Sequence, residues 1–184
     1  MEVIRDPVTG DAMRVNTNGM AQVESLARNE QMHSALRHQD AYTMDIDSVV
    51  VSGAHYFVAI KNTDDKKLVI DRATLFVNEF KDTAIVEASI GGTFAYSANG
   101  TAVVPSNCDA ESGKLATGSF YVNDGVGDLA TITAGDITGR FIFNILPLVW
   151  EKLSGWVLPK NQCFFLATGV DITFRGYISM HYEE

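Results

Sequence analysis

The chain has 184 residues, of which 46% are hydrophobic and 10% aromatic, so it can bury the core of one substantial domain. Its 23 acidic residues outnumber its 14 basic ones and give a formal net charge of −9, which works against binding a phosphate backbone by counterion release. Composition therefore predicts one globular domain with an extension, and no nucleic-acid partner.

The sequence carries no signal for export or for membrane insertion. Residues 1–10 include Asp6 and Pro7 and lack an apolar core, so we expect no secretory signal peptide. The longest apolar run, residues 141–150, contains Asn144 and Pro147 and is shorter than the roughly 20 residues that span a bilayer. We therefore expect a soluble chain that is made in a cytoplasm and has no membrane partner.

Residues 1–40 differ from the rest of the chain, because turn-forming residues are set among isolated apolar ones that cannot close a core. Good helix formers over residues 24–39 predict a short helix with a thin apolar stripe. This N-terminal arm pairs with the body as a strand, lies on a neighbouring molecule, or folds back onto its own domain. Its predicted protein-interface residues are Val3, Ile4, Val8, Met13, Val15, Met20, Val23 and Leu26.

From Tyr42 onward, short apolar segments separated by turn formers predict about ten strands at roughly 8–12 residue spacing, typical of a β-sandwich or barrel. Asn99-Gly100 predicts a tight hairpin turn, with residues 102–104 as its return strand. Pro147 and Gly155 bracket residues 148–154, which favours one or two helical turns there. The predicted strands cover 42–51, 55–60, 68–77, 85–90, 93–96, 102–104, 115–122, 129–133, 140–146, 156–158, 162–167 and 170–182.

The last predicted strand has the clearest pattern in the sequence. From Val170 to Tyr182 the even positions are apolar and the odd ones polar, which indicates a long strand with one buried face. Gly176 falls on the apolar side and predicts a bulge or the close approach of a neighbouring backbone. We therefore divide the chain into an arm, residues 1–40, and an all-β domain, residues 41–184.

No arrangement of residues predicts an enzyme, a metal site or a cofactor. Asp45 and Asp47 share one face of a strand, as expected for a solvated edge. Asn123, Asp124 and Asp128 lack the pattern of a calcium loop and indicate a plain glycine turn. Two cysteines, Cys108 and Cys163, are too few for a disulfide framework and predict reduced, buried thiols. The four histidines lack metal-ligand spacing and predict partly exposed surface residues: His33, His38, His55 and His181.

Three short strings resemble auxiliary virion proteins of tailed bacteriophages. They are the sequence at 6–12 followed by Val15-Asn16, the sequence at 40–42, and the Pro-Ser-Asn sequence at 105–107 after a glycine hairpin. That group includes head decoration or cement proteins and the capsid-proximal parts of head fibres. The resemblance implies a jelly-roll-like β-sandwich, usually a homotrimer, on the capsid exterior of the virion. It also implies the major capsid protein and further copies of itself as partners, with the arm tying neighbouring capsomers together.

The chain departs from the head-fibre form of this group, because it has no fibre-shaft repeat and no appended receptor-binding domain. Three aromatic residues leave another function open. Trp150, Trp156 and Tyr177 are either subunit contacts, or the stacking platform of a carbohydrate-binding module, while core packing is the plain alternative for the two tryptophans. A cupin-type enzyme would require clustered histidine ligands, which the spacing does not supply.

Overall fold

The computed structural model describes residues 4–5, 12–15, 21–22, 39–51, 55–77, 84–91, 93–96, 100–123, 129–133, 136–143 and 148–183. Every regular element in these ranges is a β-strand, so the all-β prediction is confirmed. The predicted helix over 24–39 lies outside the described residues except for Gln39. The strands are β1 Ile4–Arg5, β2 Ala12–Val15, β3 Ala21–Gln22, β4 Ala41–Val51, β5 His55–Asn62, β6 Lys67–Val77, β7 Ala84–Ile90, β8 Thr93–Tyr96, β9 Gly100–Ala102, β10 Ser106–Asn107, β11 Gly118–Asn123, β12 Ala130–Thr133, β13 Asp136–Phe143, β14 Leu148–Leu158, β15 Cys163–Thr168 and β16 Ile172–Glu183.

Two antiparallel sheets form the body. One has five strands in the order β10-β4-β16-β6-β14, and the other has six in the order β13-β7-β15-β5-β11-β9. The first four strands of the body pair with the last four in reverse order: β4 with β16, β5 with β15, β6 with β14, and β7 with β13. Successive strands of each set alternate between the two sheets. This is a jelly roll, and the predicted fold class is confirmed.

An insertion, β8–β12, lies between the two halves of the jelly roll. Its strands β9 and β11 extend the six-stranded sheet next to β5, and β10 extends the five-stranded sheet next to β4. The predicted hairpin at Asn99-Gly100 is wrong, because β8 pairs with β12 and β9 pairs with β11. Here β8 and β9 each pair with a strand farther along the chain, and this pairing overrides the local turn signal at Asn99-Gly100.

The predicted helical turns at 148–154 are also wrong, because residues 148–158 form strand β14 along β6. The ladder is interrupted between Glu151 and Trp156, and the four residues 152–155 stand opposite the single residue Asp71. Gly155, with φ of 65°, belongs to this bulge rather than to a helix end. Pairing with β6 satisfies the backbone on both sides of this bulge, which an isolated helical turn would not.

Gly176 fulfils both parts of its prediction. The pairing of β16 with β4 shifts between Phe174 and Gly176, which marks a bulge. Gly176 has φ of 152°, and a Cβ atom there would overlap the carbonyl oxygen of Thr74 on β6. Only glycine allows both the backbone conformation and this close approach.

The core lies between the two sheets and combines aliphatic residues with packed aromatic pairs. Phe57 of β5 stacks on Phe174 of β16 with ring centroids 4.3 Å apart, and Trp156 packs on Phe164 at 4.7 Å. A smaller apolar cluster lies on the other face of the six-stranded sheet and consists of Ala59, Leu129, Cys163 and Phe165. Because side chains alternate along β5, the same strand supplies both clusters.

Both cysteines are free thiols, as predicted, but they differ in burial. Cys163 is buried in the smaller cluster, whereas Cys108 is exposed, so the prediction of two buried thiols is wrong for Cys108. Cys108 directly follows the edge strand β10, with its sulfur 3.6 Å from the Thr43 hydroxyl, and side chains on the outer face of an edge meet solvent.

The described part of the arm forms a sheet of its own, in the order β1-β2-β3. Within the described residues, none of these three strands pairs with a strand of the body. The alternative in which the arm adds a strand to the body therefore does not hold for these strands. The jelly roll completes its pairing of β4–β7 with β13–β16 without them.

Candidate functional site

Among the described residues, no group of three or more histidine, cysteine or acidic side chains is arranged to hold a metal ion. Asn123 is 3% exposed and its Nδ2 donates to the carbonyl oxygen of Tyr56 at 2.9 Å, which is a structural role. Asp124 and Asp128 lie outside the described residues. Asp45 and Asp47 are both exposed on the outer face of β4, as predicted for a solvated edge.

His181 does not lie at the surface, and the prediction of a partly exposed histidine is wrong for it. It is 1% exposed, and its Nδ1 lies 2.9 Å from Oδ2 of Asp71. Asp71 is the residue that faces the bulge 152–155, and Gly155 in that bulge lies against Val69 beside His181. The pair therefore ties β16 to β6 beneath the bulge. The side chains of His33, His38 and His55 lie outside the described part.

The aromatic residues proposed for the body occupy different places. Trp156 is 2% exposed in the core, so it is not available to a subunit or a sugar, and core packing is its role. Trp150 pairs through its backbone with Ala73, and its side chain lies outside the described part. Tyr177 lies on the outer face of the five-stranded sheet, between Asp45 on β4 and Thr74 on β6.

Tyr177 has an aromatic neighbour on the same face. Interactions with Thr74 and Arg72 lower the pKa of Tyr177. Phe76 is 42% exposed and pairs with Arg175, two residues before Tyr177. We call Phe76 and Tyr177 the outer aromatic patch. Its phenylalanine could not be identified from the sequence, because residues 75–77 are three consecutive apolar residues and hide which one points outward.

Three of the predicted arm residues lie in described strands. Ile4 pairs with Met13, and Val15 pairs with Ala21, so the arm brings its own apolar residues together across its small sheet. Only their backbone is described. The other predicted arm contacts, Val3, Val8, Met20, Val23 and Leu26, lie outside the described residues.

The arm joins the body at a tightly held point, Gln39 and Asp40, which we call the arm root. Gln39 has a left-handed backbone with φ of 56°. The carboxylate of Asp40 lies 2.9 Å from Nζ of Lys66 and 3.1 Å from Nζ of Lys114. Burial favours the protonated acid, but the bonds from both lysines and their charges outweigh it and hold the pKa of Asp40 below its ordinary value.

Residues 100–117, which we call the insertion segment, are bonded directly to the arm root. The side-chain Nδ2 of Asn107 donates to the Gln39 carbonyl at 2.8 Å, and its Oδ1 accepts from the Asp109 amide at 2.8 Å. The backbone amide of Cys108 donates to the Ala41 carbonyl at 2.8 Å. At the far end of the segment, the Tyr182 hydroxyl donates to the Thr117 carbonyl at 2.6 Å. These contacts fix a segment that has little regular structure.

This fixed segment exposes two large apolar side chains. Val104 and Leu115 are each 73% exposed, more than the other exposed large apolar residues of the described chain, of which Ile85 reaches 45%. The sequence pattern placed both in predicted strands, whereas β9 ends at Ala102 and β11 begins at Gly118. Because hydrogen bonds hold the segment, the exposure is built into the fold, as at a binding surface.

Comparisons with protein-family models, with curated proteins and with solved structures return no match. Within the described residues, no helix has the length and apolar character needed to cross a membrane.

Proposed function

We propose that the chain is a structural virion protein, a decoration or cement protein that binds the outside of an assembled phage head and ties neighbouring capsomers together. The observation that carries the proposal is that the arm and the body form separate sheets. The jelly roll completes its strand pairing without the arm, and β1–β3 pair only with one another among the described strands. An arm that the body does not need for its own sheets is available to a neighbour.

The proposed mechanism needs no chemistry, only many weak contacts acting together. Each copy buries a modest apolar area at a junction of the shell, and the lattice multiplies these contacts by avidity. The jelly roll supplies a rigid body, and jelly rolls serve in viral capsids as well as in lectins and cupins. Fold alone does not decide between these uses, so the proposal rests on the arm and on the resemblance of the sequence to auxiliary virion proteins.

The test is binding to isolated heads of the virus that encodes the chain. Heads stripped of the protein are mixed with the full chain or with a variant lacking residues 1–38, which keeps the arm root, and bound protein is measured after sedimentation. We expect the truncation to weaken binding by a factor on the order of 100, since avidity amplifies the loss of each contact. The exposed variant Thr63→Ala serves as the matched control and retains binding.

Two results would count against the proposal. Absence of binding by the full chain would refute the virion role, and equal binding with and without the arm would refute the clamp. If the protein were found only at one vertex of intact virions, a head-fibre anchor would replace the decoration protein as the form of the proposal.

A second candidate, a carbohydrate-binding module, is favoured by one observation, the outer aromatic patch. Tyr177 lies on the open face of the sheet and Phe76 is 42% exposed beside it, and exposed aromatic rings can stack on sugar rings. A glycan array with the full chain and with Phe76→Ala and Tyr177→Ala tests this role. Tryptophan fluorescence is a poor reporter here because Trp156 is buried. Silence on the array would remove the candidate.

A further inference from the structure

We propose that the insertion segment, residues 100–117, is the docking surface for the N-terminal arm of a second copy of the chain. The inference rests on the proposed function in taking the arm as the clamp, and it assigns the clamp a partner within the oligomer. Four observations carry it: where the arm begins, what the segment exposes, how far the arm reaches, and how the charges match.

The position of the arm root brings the two parts together. Gln39 is the last arm residue before Asp40, and its carbonyl accepts the bond from Asn107 of the segment. Asp40 binds Lys114 of the same segment. In every copy, the docking surface therefore lies next to the arm root. Around a symmetry axis, each copy can bind the arm of one neighbour and extend its own arm to another.

The segment is preorganised for an apolar partner. Val104 and Leu115 are each 73% exposed on a backbone fixed by the bonds of Asn107 and Cys108. A surface that is ordered before binding loses little conformational entropy when a partner arrives. In addition, β10 is the outermost strand of the five-stranded sheet, and an edge strand can accept a further strand.

The arm carries apolar and positively charged residues that complement this surface. Its described strands carry Ile4, Met13 and Val15, apolar residues with no strand of the body beside them in the sheets. They also carry Arg5 and Arg14. The segment carries Asp109 and the exposed Glu111, and its one lysine, Lys114, binds Asp40. Opposite charges around an apolar centre favour association and set its register.

The length of the arm favours a second copy as the acceptor. Residues 23–38, which link β3 to the arm root, can span at most about 55 Å when extended, whereas a body of this size has a radius of gyration of about 15 Å. Covering an adjacent segment of the same copy would use a small part of that reach. An arm of this length can cross the body and meet the insertion segment of a neighbour.

The native exposed thiol allows a direct test. Cys108 lies in the segment and is exposed, while Cys163 is buried, so a cysteine introduced in the arm has one accessible thiol to meet. Ile4→Cys, Met13→Cys and Val15→Cys are made singly in the full chain and treated with a short bismaleimide. We expect covalent multimers on a denaturing gel for at least one position, and their loss when Cys108→Ser is added.

The cross-linking outcomes separate the alternatives. A cross-link within a single chain, seen as a monomer of altered mobility, would overturn docking on a second copy. The absence of any product at all three positions would overturn docking on the segment.

Native mass provides an independent readout. We expect the full chain to run at the mass of more than one chain over a range of concentrations, and Val104→Asp with Leu115→Asp to run at the mass of one. Both side chains are mostly exposed, so the fold of the double variant should be unchanged in circular dichroism. Phe76→Asp, on a different surface, is the control that stays multimeric. A double variant that keeps the wild-type mass would refute the inference.

These assays use the purified chain without heads, so their outcomes are separable from the proposed function. Cross-linked multimers that fail to bind heads would sink the virion role alone. Head binding that persists in the monomeric double variant would sink only the idea that arm exchange supports the clamp.

Discussion

Two asparagines build loops of the same design, and the difference in their burial predicts a difference in stability. Asn62 donates through Nδ2 to the carbonyls of Lys66 and Leu158, both at 2.8 Å, and accepts from the Asp64 amide at 2.9 Å. Asn107 donates to two carbonyls and accepts the amide two residues ahead in the same way. Asn62 is 0% exposed, whereas Asn107 is only partly buried.

The expected cost of Asn62→Ala follows from these contacts. A hydrogen bond contributes about 1 kcal/mol net, but a bond whose loss leaves a buried carbonyl without a donor costs about 1–3 kcal/mol instead. Loss of three bonds at a fully buried site should lower the free energy of unfolding by about 3–4 kcal/mol. Water can replace most of the bonds of Asn107, so Asn107→Ala should cost only about 1 kcal/mol.

Urea denaturation followed by the fluorescence of the tryptophans measures both variants. With a typical slope of about 2–3 kcal/mol/M, the midpoint for Asn62→Ala should fall by about 1–2 M, and that for Asn107→Ala by less than about 0.5 M. Equal losses in the two variants would refute the argument that burial sets the difference.

Three further predictions concern the backbone and the ionisable groups. In thermal unfolding, Gly176→Ala should lower the free energy of unfolding by at least about 3 kcal/mol, because the new Cβ meets the Thr74 carbonyl at a positive φ. The control is Gly113→Ala, whose Cβ meets open space and should change that free energy by less than about 1 kcal/mol. Similar values for the two variants would contradict this prediction. The pKa of Asp40 is lowered in the folded chain from an ordinary 3.8. The carboxylate therefore stabilises the folded state above that pH, and this stabilisation is lost as pH falls below it. Acid unfolding curves of Asp40→Asn should therefore be shallower in that range, and superimposable curves would refute the role of the two lysines. Burial raises the pKa of Tyr182 above its ordinary 10.0, so the wild type should lose stability as pH rises above about 10. Tyr182→Phe should lack that loss and be about 1 kcal/mol less stable at neutral pH, and an unchanged alkaline limb would contradict it.

The parts of the fold that could be predicted are those governed by local periodicity. The alternation from Val170 to Tyr182 fixes the buried face of β16, and the apolar position of Gly176 anticipates its bulge. Such signals depend only on which side chains point toward the core. They do not contain the pairing of β4–β7 with β13–β16, because these strand partners lie between 46 and 140 residues apart and leave no short-range pattern.

The errors come from segments where distant pairing overrides local preference. Pro147 and Gly155 resemble helix ends, but β6 pairs with residues 148–151 and 156–158 on either side of a bulge. Trp156 sits in a short run with apolar neighbours on both sides, so periodicity could not tell its buried side from the exposed Val157. Leu115 was placed in a strand for its apolar character, and the structure leaves it exposed before β11.

The candidate docking surface was beyond sequence reasoning for a related reason. Val104 and Leu115 are ordinary apolar residues in the sequence, and they are exposed in a segment that tertiary hydrogen bonds hold in place. Exposure of an apolar side chain is a property of the fold rather than of the residue. The arm stays a prediction of the sequence, and it rests on the absence of any periodic core face over residues 1–40.

The attachment of the arm suits a segment that carries load. The arm root continues directly into β4, and the Tyr182 amide donates to the Asp40 carbonyl at 3.0 Å, so the root is also bonded to the end of β16. A pull along the axis of β4 would act on the nine residue pairs that match this strand to β16. Force in this direction loads those pairs together rather than one after another. β16 is in turn paired with β6 on its other side, so the pull is shared by the centre of the five-stranded sheet, as a clamp between neighbouring molecules requires.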